Sequence, residues 1–151
     1  MRVSSVRLAL VTLLVPLSLT ACENSQPRVD VGGLAQEPAD LSELEGGVWF
    51  ADDIQDPQVD LVSGSQIQME FHQDSLSAEA GCNTLFGGAS IDEDTLVVPA
   101  LASTRKACDD ALGQQDAWLS DFLSSRPSIE VLDQDLWLSR GDDTVIHLVR
   151  E

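Results

Sequence analysis

Along the chain, apolar positions recur with a period of two far more often than with the period of a helix. "QIQMEFH" (residues 66–72) is the clearest case, with Ile67, Met69 and Phe71 on one side and Gln68, Glu70 and His72 on the other. That alternation describes a strand with one face on a core and one in water. "VWFAD" (48–52), "LSAEA" (76–80), "GASI" (88–91), "TLVVP" (95–99), "SIEVL" (128–132), "LWLSR" (136–140) and "VIHLVR" (145–150) read the same way. Gln73-Asp74-Ser75, Asp133-Gln134-Asp135 and Gly141-Asp142-Asp143 separate neighbouring runs. Such short polar links predict hairpins and hence antiparallel pairing.

One segment breaks the pattern. From Asp109 to Ser125, Leu112, Leu119, Phe122 and Leu123 fall near helical spacing. The segment opens with aspartates suited to capping and to the helix dipole, and Pro127 stops it. Gly113 costs its early turns about 1 kcal/mol relative to Ala, so packing against the sheet must help to hold the helix. The expected fold class is α+β: a curved antiparallel sheet around one helix.

The first residues follow other rules. "MRVSSVRLALVTLLVPLSLTAC" carries Arg2 and Arg7, then an uncharged run from Leu8 to Ala21 interrupted by Pro16. Crossing the roughly 30 Å hydrocarbon layer takes about 20 apolar residues, and this run is shorter, so it reads as an export signal. Its end, Leu19-Thr20-Ala21-Cys22, resembles the lipobox of bacterial lipoproteins. The resemblance implies a signal peptide over 1–21, cleavage before Cys22, and lipidation of Cys22 by diacylglyceryl and acyl groups of the palmitate kind. Because each buried CH₂ contributes about 0.8 kcal/mol, such a residue tethers a protein firmly to a membrane. Residues 22–45, mixing Pro, Gly, Asn, Gln and acids without a period, read as the lipidated cysteine and a flexible tether. The folded domain is expected over 46–151.

With 151 residues, the chain has room for one domain. Its formal charge is −18, with 26 acids against 8 basic residues, and cleavage before Cys22 would remove two of those basic residues and no acid. Such a field repels phosphate backbones and anionic headgroups, which argues against nucleic acid as a partner.

The remaining pattern resembles the META domain, the HslJ-like family. Trp49, the strand ending at Phe71, Gly81-Cys82-Asn83, Gly87-Gly88, Thr104-Arg105-Lys106-Ala107-Cys108, the helix and the closing "DLWLSR"/"TVIHLV" hairpin carry it. The motif residues are Gly81, Cys82, Asn83, Gly88, Thr104, Ala107 and Cys108. Lys106 stands where a methionine is common, and Ala89 where an aromatic is common. The resemblance implies a curved antiparallel sheet, close to a partly open barrel, wrapped around a single helix. It implies no established enzymatic activity and a small envelope or secreted protein, loosely linked to stress response, antibiotic tolerance, motility or secretion.

Cys82 and Cys108 then decide between enzyme and scaffold. In an exported domain an even pair points to a disulfide, here closing a separation of 26 residues, which the chain-entropy account values at about 3–4 kcal/mol. The alternatives are a reactive thiol, since Cys108 lies at the expected helix start beside Arg105 and Lys106, and a metal ligand. Against them, His72 and His147 read as surface or structural residues, and no Cys-x-x-Cys or His-x-x-x-His spacing occurs. The acid clusters Asp52-Asp53, Asp92-Glu93-Asp94 and Asp142-Asp143 lack the EF-hand pattern and read as turns. Asn83 can accept a left-handed conformation, and Gly87-Gly88 allows a bulge or a close approach of the helix. The expectation is therefore a non-catalytic protein without metal or cofactor, lipid-anchored outside the cytoplasmic membrane or in an outer membrane, and binding an envelope protein or small ligand. An apolar-ligand barrel and a thiol redox protein are the alternatives.

Overall fold

The structure, a computed structural model, describes residues 40–59 and 61–151. The expected signal peptide, Cys22 and most of the expected tether lie outside the described residues.

Among the described residues, ten strands form one antiparallel sheet, with the principal helix between the seventh and eighth. They are β1 (Val48–Gln55), β2 (Gln68–His72), β3 (Ser75–Glu79), β4 (Thr84–Gly88), β5 (Ser90–Asp92), β6 (Thr95–Val97), β7 (Ala102–Ser103), β8 (Ser128–Leu132), β9 (Asp135–Arg140) and β10 (Thr144–Arg150). The strand order is β5-β6-β8-β9-β10-β1-β2-β3-β4-β7. Only Ala89 separates β4 from β5, so two strands near opposite ends of this order are joined through one residue. The sheet must therefore curl, and it forms a half-barrel.

Alternation decides what faces inward. On β2, Met69 and Phe71 are buried; on β9, Leu136 and Leu138; on β10, Thr144, Ile146 and Leu148. Three hairpins turn on two residues, between His72 and Ser75, Asp92 and Thr95, and Leu132 and Asp135. In each, the first turn residue (Gln73, Glu93, Asp133) has positive φ. A register shift between Ala51 and Asp53 marks a bulge in β1 against β10, which locally bends and twists the strand.

The helix α2 (Asp110–Ser124) contributes Leu119, Phe122 and Leu123 to the same hydrophobic cluster as the sheet. Its N-cap Asp109 has extended backbone but makes no side-chain cap hydrogen bond. At the other end Ser125 caps through its N–H and hydroxyl to the Phe122 carbonyl, Arg126 takes positive φ, and Pro127 follows. Trp118 stacks on Phe122 with centroids 5.9 Å apart, and the Arg140 guanidinium lies 5.5 Å from the centre of the Phe122 ring.

The folded region begins earlier than the boundary expected at residue 46. A single helical turn, α1 (Leu41–Leu44), is capped by Asp40, whose carboxylate accepts from the Ser42 N–H at 2.9 Å. Leu41 and Leu44 are buried in the main core. Trp49 donates its indole N–H to the Leu44 carbonyl at 2.9 Å. Arg150 donates to the carbonyls of Glu43 and Glu45 while its guanidinium lies 4.8 Å from the Trp49 ring centre. Contacts from the far end of the chain thus hold a segment whose own sequence has no period to announce it.

Candidate functional site

The Gly81-Cys82-Asn83 segment links β3 to β4, and the Thr104–Asp109 segment leads from β7 into α2. The two lie side by side. Gly81 has φ +125, and a Cβ there would sit 2.9 Å from the Ser65 Cβ and 3.0 Å from a Leu112 methyl. Glycine is needed on both counts. Asn83, by contrast, is not among the residues with positive φ. The positive φ that Asn83 could accept is taken by Gly81 instead, and Asn83 acts through its side chain.

That side chain is the centre of a network. Its Oδ1 accepts from the Thr104 hydroxyl at 3.0 Å and from the Lys106 N–H at 2.9 Å. Its Nδ2 donates to Asp116 Oδ2 at 2.8 Å and lies 3.1 Å from Cys108 Sγ. The Asn83 backbone N–H also donates to Asp116 Oδ2, at 2.9 Å. Thr104 adds a second tie: its hydroxyl accepts from the Thr84 N–H at 3.0 Å, and its own N–H reaches the Thr84 carbonyl at 3.0 Å. One amide side chain thereby fastens the β3–β4 turn, the approach to α2 and α2 itself.

The structure places Cys82 and Cys108 at disulfide distance, their Cα atoms 6.1 Å apart. Both are half-buried, whereas Asp116 is buried. Each of the three offers a ligand atom within 4.8 Å of the other two. Asp116 Oδ1 is buried with no hydrogen-bond partner among the described residues.

Next to Asp116, Gln115 is also buried. Its Oε1 accepts from the Val62 N–H at 2.7 Å; its Nε2 donates to Ser65 Oγ at 2.8 Å and to the Ala80 carbonyl. Sequence reading missed Gln115 and Asp116. The signal existed, because positions 112, 115, 116, 119, 122 and 123 share one face of the helix, and two polar residues on an apolar stripe need partners.

The remaining motif residues lie outside this network. At Gly87 a Cβ would overlap the Ala100 carbonyl, so the close approach is by the β6–β7 connection rather than by the helix. Gly88 pairs with Ser75 in the sheet, and Ala107 is exposed. His72 is exposed near Glu70. His147 points outward from β10, stacked on Trp137 with ring centroids 4.9 Å apart and held at Nε2 by Asp135 at 2.7 Å. Asp52, Asp53, Asp92, Glu93, Asp94, Asp142 and Asp143 are all exposed.

A second polar cluster surrounds Asp56, whose side chain is 2 % exposed. It accepts from the Gln58 N–H at 2.8 Å, the Trp118 indole at 3.0 Å and the Thr144 hydroxyl at 3.1 Å, with Arg140 at 3.7 Å. Burial pushes its carboxyl upward, but these donors and the Arg140 charge outweigh it and hold the group below the usual carboxylate range. Beside β1, the loop carrying Val59, Leu61 and Gly64–Gln66 borders an open cleft of about 590 Å³ that Ala51, Asp52, Asp53, Ile54 and Ile67 also line.

The sequence profile of the META domain matches residues 42–151. The chain belongs to the META domain family. Its match begins within α1, in agreement with the burial of Leu44. Among curated proteins none matches. Two structures solved by NMR resemble this META domain. One is a protein from Burkholderia xenovorans, 19% identical, with a TM-score of 0.59 over 83% of this chain and 98% of that one. The other is 18% identical, with a TM-score of 0.58 over 74% of this chain and 95% of that one. At these identities the likeness establishes a shared fold.

Proposed function

We propose that this META protein is lipid-anchored through Cys22, stands outside the cytoplasmic membrane or in an outer membrane, and acts without catalysis, by binding an envelope partner or supporting envelope integrity under stress. The observation that carries this reading is the joining, in one chain, of the lipobox-like Leu19-Thr20-Ala21-Cys22 to a META domain over 42–151. Support for a non-catalytic role comes from the use made of the family's hallmark residues. Asn83 and Thr104 spend their polar atoms on one another, on backbone and on Asp116.

Fractionation and acyl labelling of the full chain and of Cys22→Ala test the anchor. Wild type is expected to take up labelled fatty acid and to need detergent for release, while Cys22→Ala appears in the soluble fraction. An unlabelled wild type, or a variant that still requires detergent, refutes anchoring. Crosslinking in intact cells under envelope stress then identifies the partner.

A further inference from the structure

Asp116 carries an imbalance that the fold does not resolve. Its Oδ2 receives two N–H donors from Asn83, while the buried Oδ1 receives none among the described residues. The residue is 5% exposed, and an unmatched buried acceptor costs about 1–3 kcal/mol, more when charged. Its chemistry-bearing neighbours are the two sulfurs, all three residues placing a ligand atom within 4.8 Å of one another. In a disulfide neither sulfur has a proton to donate.

Opening the S–S bond changes the chemistry of the cluster. Two thiols would then stand beside a carboxylate with one oxygen, Oδ1, still without a donor. The three come from separate stretches: the β3–β4 turn, the approach to α2, and α2 itself. Two thiolates and one carboxylate form a donor set suited to Zn²⁺, with a fourth position left for water on the half-exposed cysteine side. Asn83 already supplies the outer contact such a site needs, donating to Asp116 Oδ2 and reaching Cys108 Sγ. The chain's charge of −18 favours cations at its surface.

We propose that Cys82, Cys108 and Asp116 form a redox-gated site for a thiophilic divalent cation, closed while the disulfide stands and competent for Zn²⁺ once it is reduced. A dithiol reductant delivers two electrons and two protons to the S–S bond and becomes a disulfide itself. Zn²⁺ then displaces the two thiol protons to solvent and binds both thiolates and an Asp116 oxygen.

The test uses the full chain carrying Cys22→Ser, so that only two thiols are in play. A trialkylphosphine reduces the disulfide, taking its oxygen from water and leaving no competing thiol. Co²⁺ is titrated in and then chased with Zn²⁺, with absorbance as the readout and far-ultraviolet circular dichroism as the control for folding. The reduced protein is expected to bind one equivalent of Co²⁺ with a thiolate-to-cobalt charge-transfer band that Zn²⁺ abolishes, and the oxidised protein to show no band. Asp116→Asn is expected to weaken binding about tenfold or more; if that variant does not fold, Asp116→Glu, which displaces the same charge by one methylene, is expected to weaken it as well. A reduced protein without the band overturns the proposal, as does an unchanged affinity in the folded variant. Loss of the sheet on reduction overturns it too, since the three ligands converge only through the fold.

Discussion

Asn83 and Asp116, 33 positions apart, are joined twice: the Asn83 backbone N–H and side-chain Nδ2 both donate to the same Asp116 oxygen, at 2.9 and 2.8 Å. Hydrogen bonds to a charged acceptor are worth about 1.5–3 kcal/mol each, and removing the donor side chain leaves buried acceptors and donors behind. Asn83→Ala is expected to lower stability by about 2–4 kcal/mol. In a double-mutant cycle with Asp116→Ala, measured by urea unfolding, the two should couple by about 1–3 kcal/mol. Additive effects would mean that the pair stabilises nothing jointly.

Asp56 gives the domain an acid-sensitive joint. Its folded-state pKa lies below the ordinary aspartate value, so its contribution is present in full above that value, about 3.9, and is lost as pH falls through the lower folded-state value. Asp56→Asn should therefore reduce stability at neutral pH, by about 2 kcal/mol for a buried charge-assisted cluster, and flatten the acid limb of a stability curve. Unfolding free energies measured across acidic pH would show the variant and wild-type curves converging at the acid end. Parallel curves would contradict it.

Removal of both cysteines separates a staple from a reactive centre. The bridge closes a separation of 26 residues, and Cys82→Ala with Cys108→Ala should cost about 3–4 kcal/mol, largely by freeing the unfolded chain. The denaturant m-value should rise, because the released chain exposes more surface on unfolding. Thiol titration of denatured, unreduced protein carrying Cys22→Ser should find no free thiol, and two would refute the bridge.

Much of this fold was legible because local pattern and tertiary role coincide. Ile67, Met69 and Phe71 alternate and are buried; Ser128–Leu132 is a strand to the residue; α2 spans all but the ends of its expected range. What escaped notice depends on partners distant in sequence. Gly87-Gly88 reads as room for a bulge or for the helix, yet both residues lie in paired β4, and at Gly87 it is the Ala100 carbonyl that leaves no room for a side chain. Leu41–Leu44 is helical because Trp49 and Arg150 hold it. Cys82 and Cys108 stood out by residue type, whereas Asp116 became part of the site only when the turn of α2 brought it to Asn83.

Two glycines should answer the same substitution with opposite signs. At Gly113, within α2, a Cβ meets nothing within 4 Å. Alanine there removes the helix penalty of glycine and restricts the unfolded chain, so Gly113→Ala should stabilise the domain by about 0.5–1 kcal/mol. At Gly87 the Cβ would run into the backbone carbonyl of Ala100, which cannot swing aside as a flexible side chain does. Separating the β6–β7 connection from β4 would strain the pairing of Leu85 and Phe86 with Ser103 and Ala102. Gly87→Ala is expected to cost about 1–3 kcal/mol. Thermal unfolding of the two variants side by side reads both signs at once, and a stabilised Gly87→Ala would show that β4 and the Ala100 carbonyl are not in close contact.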